Sequence, residues 1–188
     1  MTTRFALLAA ATMLAAVPVG ARAGVLPFTA TQVNYSPPGD PAGRCAPALT
    51  INFVNSGPFF VTGTSNLGNY IAEGSHCFIP GILFDGEARL MFANGTLFAT
   101  YSGTITPLSP TSFRPNQLFT ITGGTGFFAD ATGSWTQTGV VVRAPDNTTT
   151  GDVTLDGFIV TPAPSMLALF GLSLAGLAAV RRPMAQLR

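Results

Sequence analysis

His76 is the single histidine of the chain, so a Ser-His-Asp triad would have to use it. No Gly-x-Ser-x-Gly elbow is present, and Ser65 and Ser75 sit in ordinary turn contexts. His76 therefore reads as structural or solvent-exposed. The eight acids are dispersed. Asp85 with Glu87, and Asp152 with Asp156, have the even spacing that puts each pair on one face of a strand. Such pairs serve acid–base catalysis or calcium binding, and they equally furnish the polar outer face of a sheet, which is the preferred reading. Cys45 and Cys77 are the only cysteines. With only His76 beside them and no Cys-x-x-Cys spacing, a metal site is the weaker interpretation and a disulfide the stronger. No cofactor is expected.

The segment from Leu118 to Gly133 reads LFTITGGTGFFADATG. A strand followed by Gly123-Gly124-Thr125-Gly126 has the look of a dinucleotide phosphate turn. The context fails that reading, because such a unit needs a helix, a second parallel strand and an acid further on. The alternative is structural: Gly123, Gly124 and Gly126 turn the backbone with positive φ, and Phe127 and Phe128 plug a barrel end. Trp135 with these two phenylalanines is either a sugar-stacking platform or, more simply, core.

These residues need elements to hold them, and the elements are strands. No helical periodicity appears between Gly24 and Val160; short β-branched and aromatic runs alternate with Gly, Pro and Asn. Strands are predicted over Val25 to Val33, Leu49 to Asn55, Phe59 to Gly63 and Tyr70 to Phe78. A hairpin joins Glu87 to Ala93 with Thr96 to Ile105 through Asn94-Gly95, a pair suited to a type I′ turn. Leu90 and Phe92 share one face, Arg89 and Met91 the other. A loop through Pro107, Pro110 and Pro115 precedes a strand over Gln117 to Thr122. A last hairpin pairs Ser134 to Arg143 with Asp152 to Val160 around Asp146-Asn147. Asn94-Gly95-Thr96 and Asn147-Thr148-Thr149 match the N-glycosylation pattern, but turn chemistry already explains both asparagines. The segment Pro37 to Pro47 is a loop pinned by Cys45.

The fold class expected is all-β: a single small antiparallel barrel (or sandwich), flanked by an N-terminal signal helix and a C-terminal hydrophobic helix. The central region carries four arginines and eight acids, a formal charge of minus four, and the chain has no lysine. That balance leaves no footprint for nucleic acid.

The two ends address the protein. Residues 1–23 carry a positive Arg4, an apolar run from Phe5 to Val19, and the small-x-small cleavage site Ala21-Arg22-Ala23. This is a secretory signal for the Sec translocon and signal peptidase, and the mature chain begins near Gly24. Export places both cysteines in an oxidising compartment. A disulfide closing their 32-residue separation is worth about 3.7 kcal/mol by chain entropy. At the other end, residues 161–188 run Thr161-Pro162-Ala163-Pro164-Ser165, an apolar stretch Met166 to Val180, then Arg181-Arg182. Fifteen residues make about 22 Å of helix, against about 30 Å of hydrocarbon. A helix that halts translocation and is then cut away fits, as does a tilted or thinly embedded anchor. A packed amphipathic helix fits less well, since Leu167, Leu169, Phe170, Leu172, Leu174 and Leu177 surround the axis.

The order Pro-x-Pro-Ser, aliphatic run, paired arginines resembles a PEP-CTERM sorting tail, found on exported proteins of exopolysaccharide-producing Gram-negative bacteria. The resemblance implies cleavage by an exosortase near Pro162 to Ser165. The chain departs from the family pattern at Ala163, where glutamate is usual. Within the middle domain, several features resemble allene oxide cyclase and dirigent-like barrels. These are the Asn94-Gly95 hairpin, Tyr101-Ser102-Gly103-Thr104, the Gly-Gly-Thr-Gly turn, Gly157-x-Ile159, and Gly63 to Gly68 followed by Glu73-Gly74-Ser75-His76-Cys77. This resemblance implies a barrel and no assignable activity, because no catalytic positions match.

Two functions compete. The first is a non-catalytic, exosortase-sorted surface or extracellular-matrix protein associated with exopolysaccharide, held transiently at the inner membrane. The second is a small barrel that binds a lipophilic ligand or acts as a cyclase or isomerase. A third, minor option is a permanently anchored envelope protein. An apolar cavity of several hundred Å³ with an inward acid or histidine favours the second; an interior filled with Phe sinks it.

Overall fold

The computed structural model describes residues 23–53 and 61–162. The expected signal helix with Ala21, the C-terminal helix, and Ala163, Pro164, Ser165, Arg181 and Arg182 of the tail lie outside them. Among the described residues, no helix is long and apolar enough to cross a membrane.

Among the described residues nine strands follow one another: β1 (Gly24–Ser36), β2 (Leu49–Phe53), β3 (Val61–Ser65), β4 (Gly68–Ile79), β5 (Ile82–Phe92), β6 (Gly95–Pro107), β7 (Ser112–Gly124), β8 (Thr132–Arg143) and β9 (Thr149–Thr161). Their burial alternates with period two, as a sheet with one wet face demands. Phe28 and Ala30 on β1, Phe119 and Ile121 on β7, and Val153 and Leu155 on β9 point inward. Thr29, Thr31, Thr120, Thr154 and Asp156 point to solvent. Leu90 and Phe92 are buried, whereas Arg89 is exposed and Met91 half-buried.

Every pairing is antiparallel, and the ring β3–β1–β9–β8–β7–β6–β5–β4 closes on itself, because β4 pairs with both β5 and β3. This is an eight-stranded barrel, not a sandwich. The ninth strand, β2, pairs with Gly74 to Phe78 of β4, beyond the stretch of β4 taken by β3.

The two ends of the barrel differ. At one, a single 3-10 turn, Gly126–Phe128, carries Phe128 into the core, where it is fully buried against Phe92. At the other, the 37–48 connection folds over β4. Cys45 bonds Cys77 with an S–S distance of 2.02 Å. Arg44 bonds the Asp85 carboxylate and carbonyl and reaches the Ser75 hydroxyl at 3.2 Å. The Asp40 and Thr50 backbones exchange two hydrogen bonds, of 2.8 and 2.9 Å.

Three local expectations are corrected. The two-residue loop of the β5–β6 hairpin is Ala93-Asn94, since Phe92 pairs with Gly95, and neither loop residue has positive φ. The type I′ turn yields because the hairpin tip docks on the 125–127 turn: Phe127 N–H donates to the Asn94 carbonyl at 2.9 Å, and Thr125 N–H to that of Thr96 at 2.8 Å. Pro115 belongs to β7, not to the loop. It pairs with Ile105 on β6 and falls in a break of the β7–β8 ladder, where its missing N–H is tolerated. In the glycine-rich turn, Gly123 and Gly126 have positive φ but Gly124 does not. A side chain at Gly124 would strike the Thr96 and Phe128 carbonyls instead.

Candidate functional site

The barrel interior has two halves of different character. Nearer the closed end, aromatic rings fill it. Tyr101 stacks on Phe119 with centroids 4.3 Å apart, Phe119 on Trp135 at 4.9 Å, and Phe28 meets Trp135 edge-on at 5.5 Å. Such contacts add stabilisation beyond area burial. Room for Tyr101 comes from Gly86, its cross-strand partner, where any Cβ would overlap the phenol ring.

Above the rings lies a polar layer. Gln32, His76, Gln117 and Gln137 are all buried. Gln117 and Gln137 are register partners on β7 and β8, and the Gln137 amide donates to the Gln117 carbonyl oxygen at 2.8 Å. The Gln32 amide donates to Asn34. His76 Nδ1 lies 2.7 Å from the Tyr101 hydroxyl. Burial, with the Arg44 charge second, lowers the histidine's pKa to about 4, so it is neutral at pH 7. Burial likewise raises the pKa of Tyr101 well above its ordinary value. Tyr101 stays protonated, and the Tyr101 proton has no other acceptor among the described residues, so it donates to Nδ1. That assigns the His76 proton to Nε2 and makes the ring edge a donor.

The layer is the floor of an open cup of about 450 Å³ at the mouth. Its walls include Pro37 and Pro38 of the pinned connection, Ile51 of β2, Phe78 of β4, Ile105 of β6 and Phe113 of β7. Arg143 stands at the rim, its guanidinium 5.4 Å from the centre of the Phe113 ring. Beneath the floor is a chamber of about 50 Å³, which shares His76, Gln117, Gln137, Asn34 and Ser36 with the cup and is also lined by Trp135. The structure thus holds both of the discriminating features at once, a ring-filled half and an apolar cup with an inward histidine.

Comparison with known families, with curated proteins and with solved structures finds no match to this chain. The site must be read from its own chemistry.

The other candidate residues fall as follows. His76 is not solvent-exposed: strand alternation turns it into the barrel while Cys77, next along, faces outward under the 37–48 connection. Ser75 serves Arg44, and no serine hydroxyl bonds His76 among the described residues. Asp85 and Glu87 are both exposed, with Asp85 at a register shift in β5 and claimed by Arg44. Asp152 and Asp156 lie on the outer face of β9. No cluster of metal-ligating side chains occurs among the described residues. A sugar platform of Trp135, Phe127 and Phe128 is excluded, because Trp135 and Phe128 are core and only Phe127 reaches solvent. Pro162 and Ala23 are exposed at the two ends of the described chain.

The three glutamines and Tyr101 were missed. Their signal was parity: Gln32 follows Ala30 by two, Gln117 precedes Phe119 by two, and Gln137 follows Trp135 by two, so each shares a face with a core residue.

Proposed function

We propose that this chain is an exported β-barrel binding protein whose open end receives a small lipophilic molecule. The observation that carries the reading is the cup: several hundred Å³, mostly apolar walls, and a few convergent polar groups on its floor, the form that small-molecule sites take. Binding is favoured over catalysis by the lining itself. Its titratable groups among the described residues are His76, engaged by Tyr101, and Arg143, at the rim. A buried histidine with a pKa of about 4 is a weak general base at neutral pH.

Delivery rests on the sequence of the two ends. In this proposal the Sec translocon and signal peptidase export the chain, and an exosortase acts near Pro162 to Ser165 after transient residence in the inner membrane. The barrel then works at the cell surface or in an exopolysaccharide matrix. A soluble extracellular species lacking both ends by intact mass supports that route. Full-length protein retained in the inner membrane overturns it.

The cup is tested with N-phenyl-1-naphthylamine, a neutral apolar dye whose emission rises out of water. The expected result is saturable one-site binding that Ile105→Glu abolishes, because the substitution places a carboxylate in the apolar wall. The variant has the same chain ends, so it subtracts dye taken up elsewhere. Equal binding by both proteins overturns the reading.

A further inference from the structure

We infer that the ligand of this cup ends in an uncharged hydrogen-bond acceptor, a ketone, ester or amide carbonyl, which enters the chamber beneath the floor and is met by the Trp135 indole N–H. The inference rests on the reading of the cup as a binding site and specifies what that site selects.

Trp135 is 1% exposed, and its Nε1 has no hydrogen-bond partner among the described residues. Indole N–H is a donor only, and a buried donor left unmade is costly, so an acceptor belongs beside it. The chamber lined by Trp135 is too small for a whole ligand but of a size for one polar end. Its other polar walls include two further donors. The His76 proton is assigned to Nε2 by the Tyr101 bond, and the Gln117 amide N–H₂ remains free when its carbonyl oxygen accepts from Gln137. Trp135, His76 and Gln117 all line this one chamber, and an oxygen with lone pairs and no proton of its own can answer the donor of each.

Charge decides against the two common amphiphiles. Neither cavity has a charged side chain on the floor, and Arg143 stands only at the rim of the cup. A carboxylate or ammonium drawn into the chamber would lose its hydration without a countercharge. An alkane would leave the indole unpaired. The neutral carbonyl satisfies both constraints, while the apolar walls of the cup hold the hydrocarbon body.

The test uses the full chain and four chain-matched probes: 2-undecanone, undecane, decanoate and decylamine. Affinities come from displacement of N-phenyl-1-naphthylamine. Trp135 is the only tryptophan, so its emission reports the chamber directly. The ketone should bind about tenfold tighter than each of the other three, as one well-made hydrogen bond allows, and it alone should shift Trp135 emission. Trp135→Phe keeps a ring and removes the donor. It should weaken the ketone by about tenfold and leave undecane unchanged. If undecane matches the ketone, or if Trp135→Phe leaves the ketone affinity unchanged, the acceptor assignment falls while the cup stands. If decanoate binds best, the Arg143 rim selects the ligand and the assignment falls. If none of the four displaces a dye that does bind, the acceptor assignment falls as well. If the dye itself does not bind, the cup reading falls with it.

Discussion

Acidification from pH 7 to pH 5 should destabilise the barrel by about 2 kcal/mol through one residue, His76. Buried under the cup, it has a folded pKa of about 4 against an ordinary 6.5, chiefly through loss of hydration and secondarily through the Arg44 charge. The unfolded chain therefore binds a proton first as pH falls. Stability from this group is fully present above about 6.5, declines by about 1.4 kcal/mol per pH unit below it, and is exhausted near pH 4. His76 is the only histidine, so no second imidazole titrates in this window. Urea unfolding followed by circular dichroism at pH 7, 6 and 5 measures the effect. His76→Gln, which still offers Tyr101 an acceptor, should be less stable at pH 7 and nearly flat over the same range. A wild-type stability that changes by less than about 0.5 kcal/mol, or a His76→Gln slope equal to the wild-type one, would refute the buried neutral histidine.

Two further outcomes are expected. Replacing Cys45 and Cys77 together by Ser should cost about 3.7 kcal/mol in urea unfolding by the chain-entropy relation. It should also weaken dye binding, because Pro37 and Pro38 of the cup wall belong to the connection that the disulfide and Arg44 hold down. Phe128→Ala should cost about 3–5 kcal/mol, as fully buried aromatic truncations do, yet leave dye binding intact, since Phe128 plugs the end opposite the cup. Loss of dye binding in a folded Phe128→Ala protein would show that the two ends are not independent.

Much of the strand plan was legible because sheet formation is written in local pattern. The final hairpin, expected over Ser134 to Arg143 and Asp152 to Val160, is β8 and β9, with β8 starting two residues earlier and β9 starting three earlier and ending one later. Its turn has Asn147 at a φ of 65°, and Asp146 Oδ1 accepts from the Thr148 hydroxyl at 2.7 Å. That hydrogen bond lowers the Asp146 pKa. The Ala93-Asn94 loop was misread because the Asn94-Gly95 signal assumes an isolated hairpin, whereas a contact between the hairpin tip and residues 125–127 set this one. Pro115 was misplaced for a similar reason. A proline looks like a loop until a neighbouring strand is known to leave its N–H side unpaired.

By itself, the sequence determined the alternation that makes strands, the two cysteines 32 residues apart, and the lone histidine on which any protonation argument rests. These are properties of single residues and of period-two spacing, which the chain carries wherever it goes. Ring closure through β4 decided what the face parity meant. Only when eight strands curl do Gln32, Gln117, Gln137 and His76, distant in sequence, converge as one polar layer. The cup, the neutral state of His76 and the unpaired indole of Trp135 are consequences of that closure. Desolvation is a property of what surrounds a group, and in this protein its surroundings come from eight different strands.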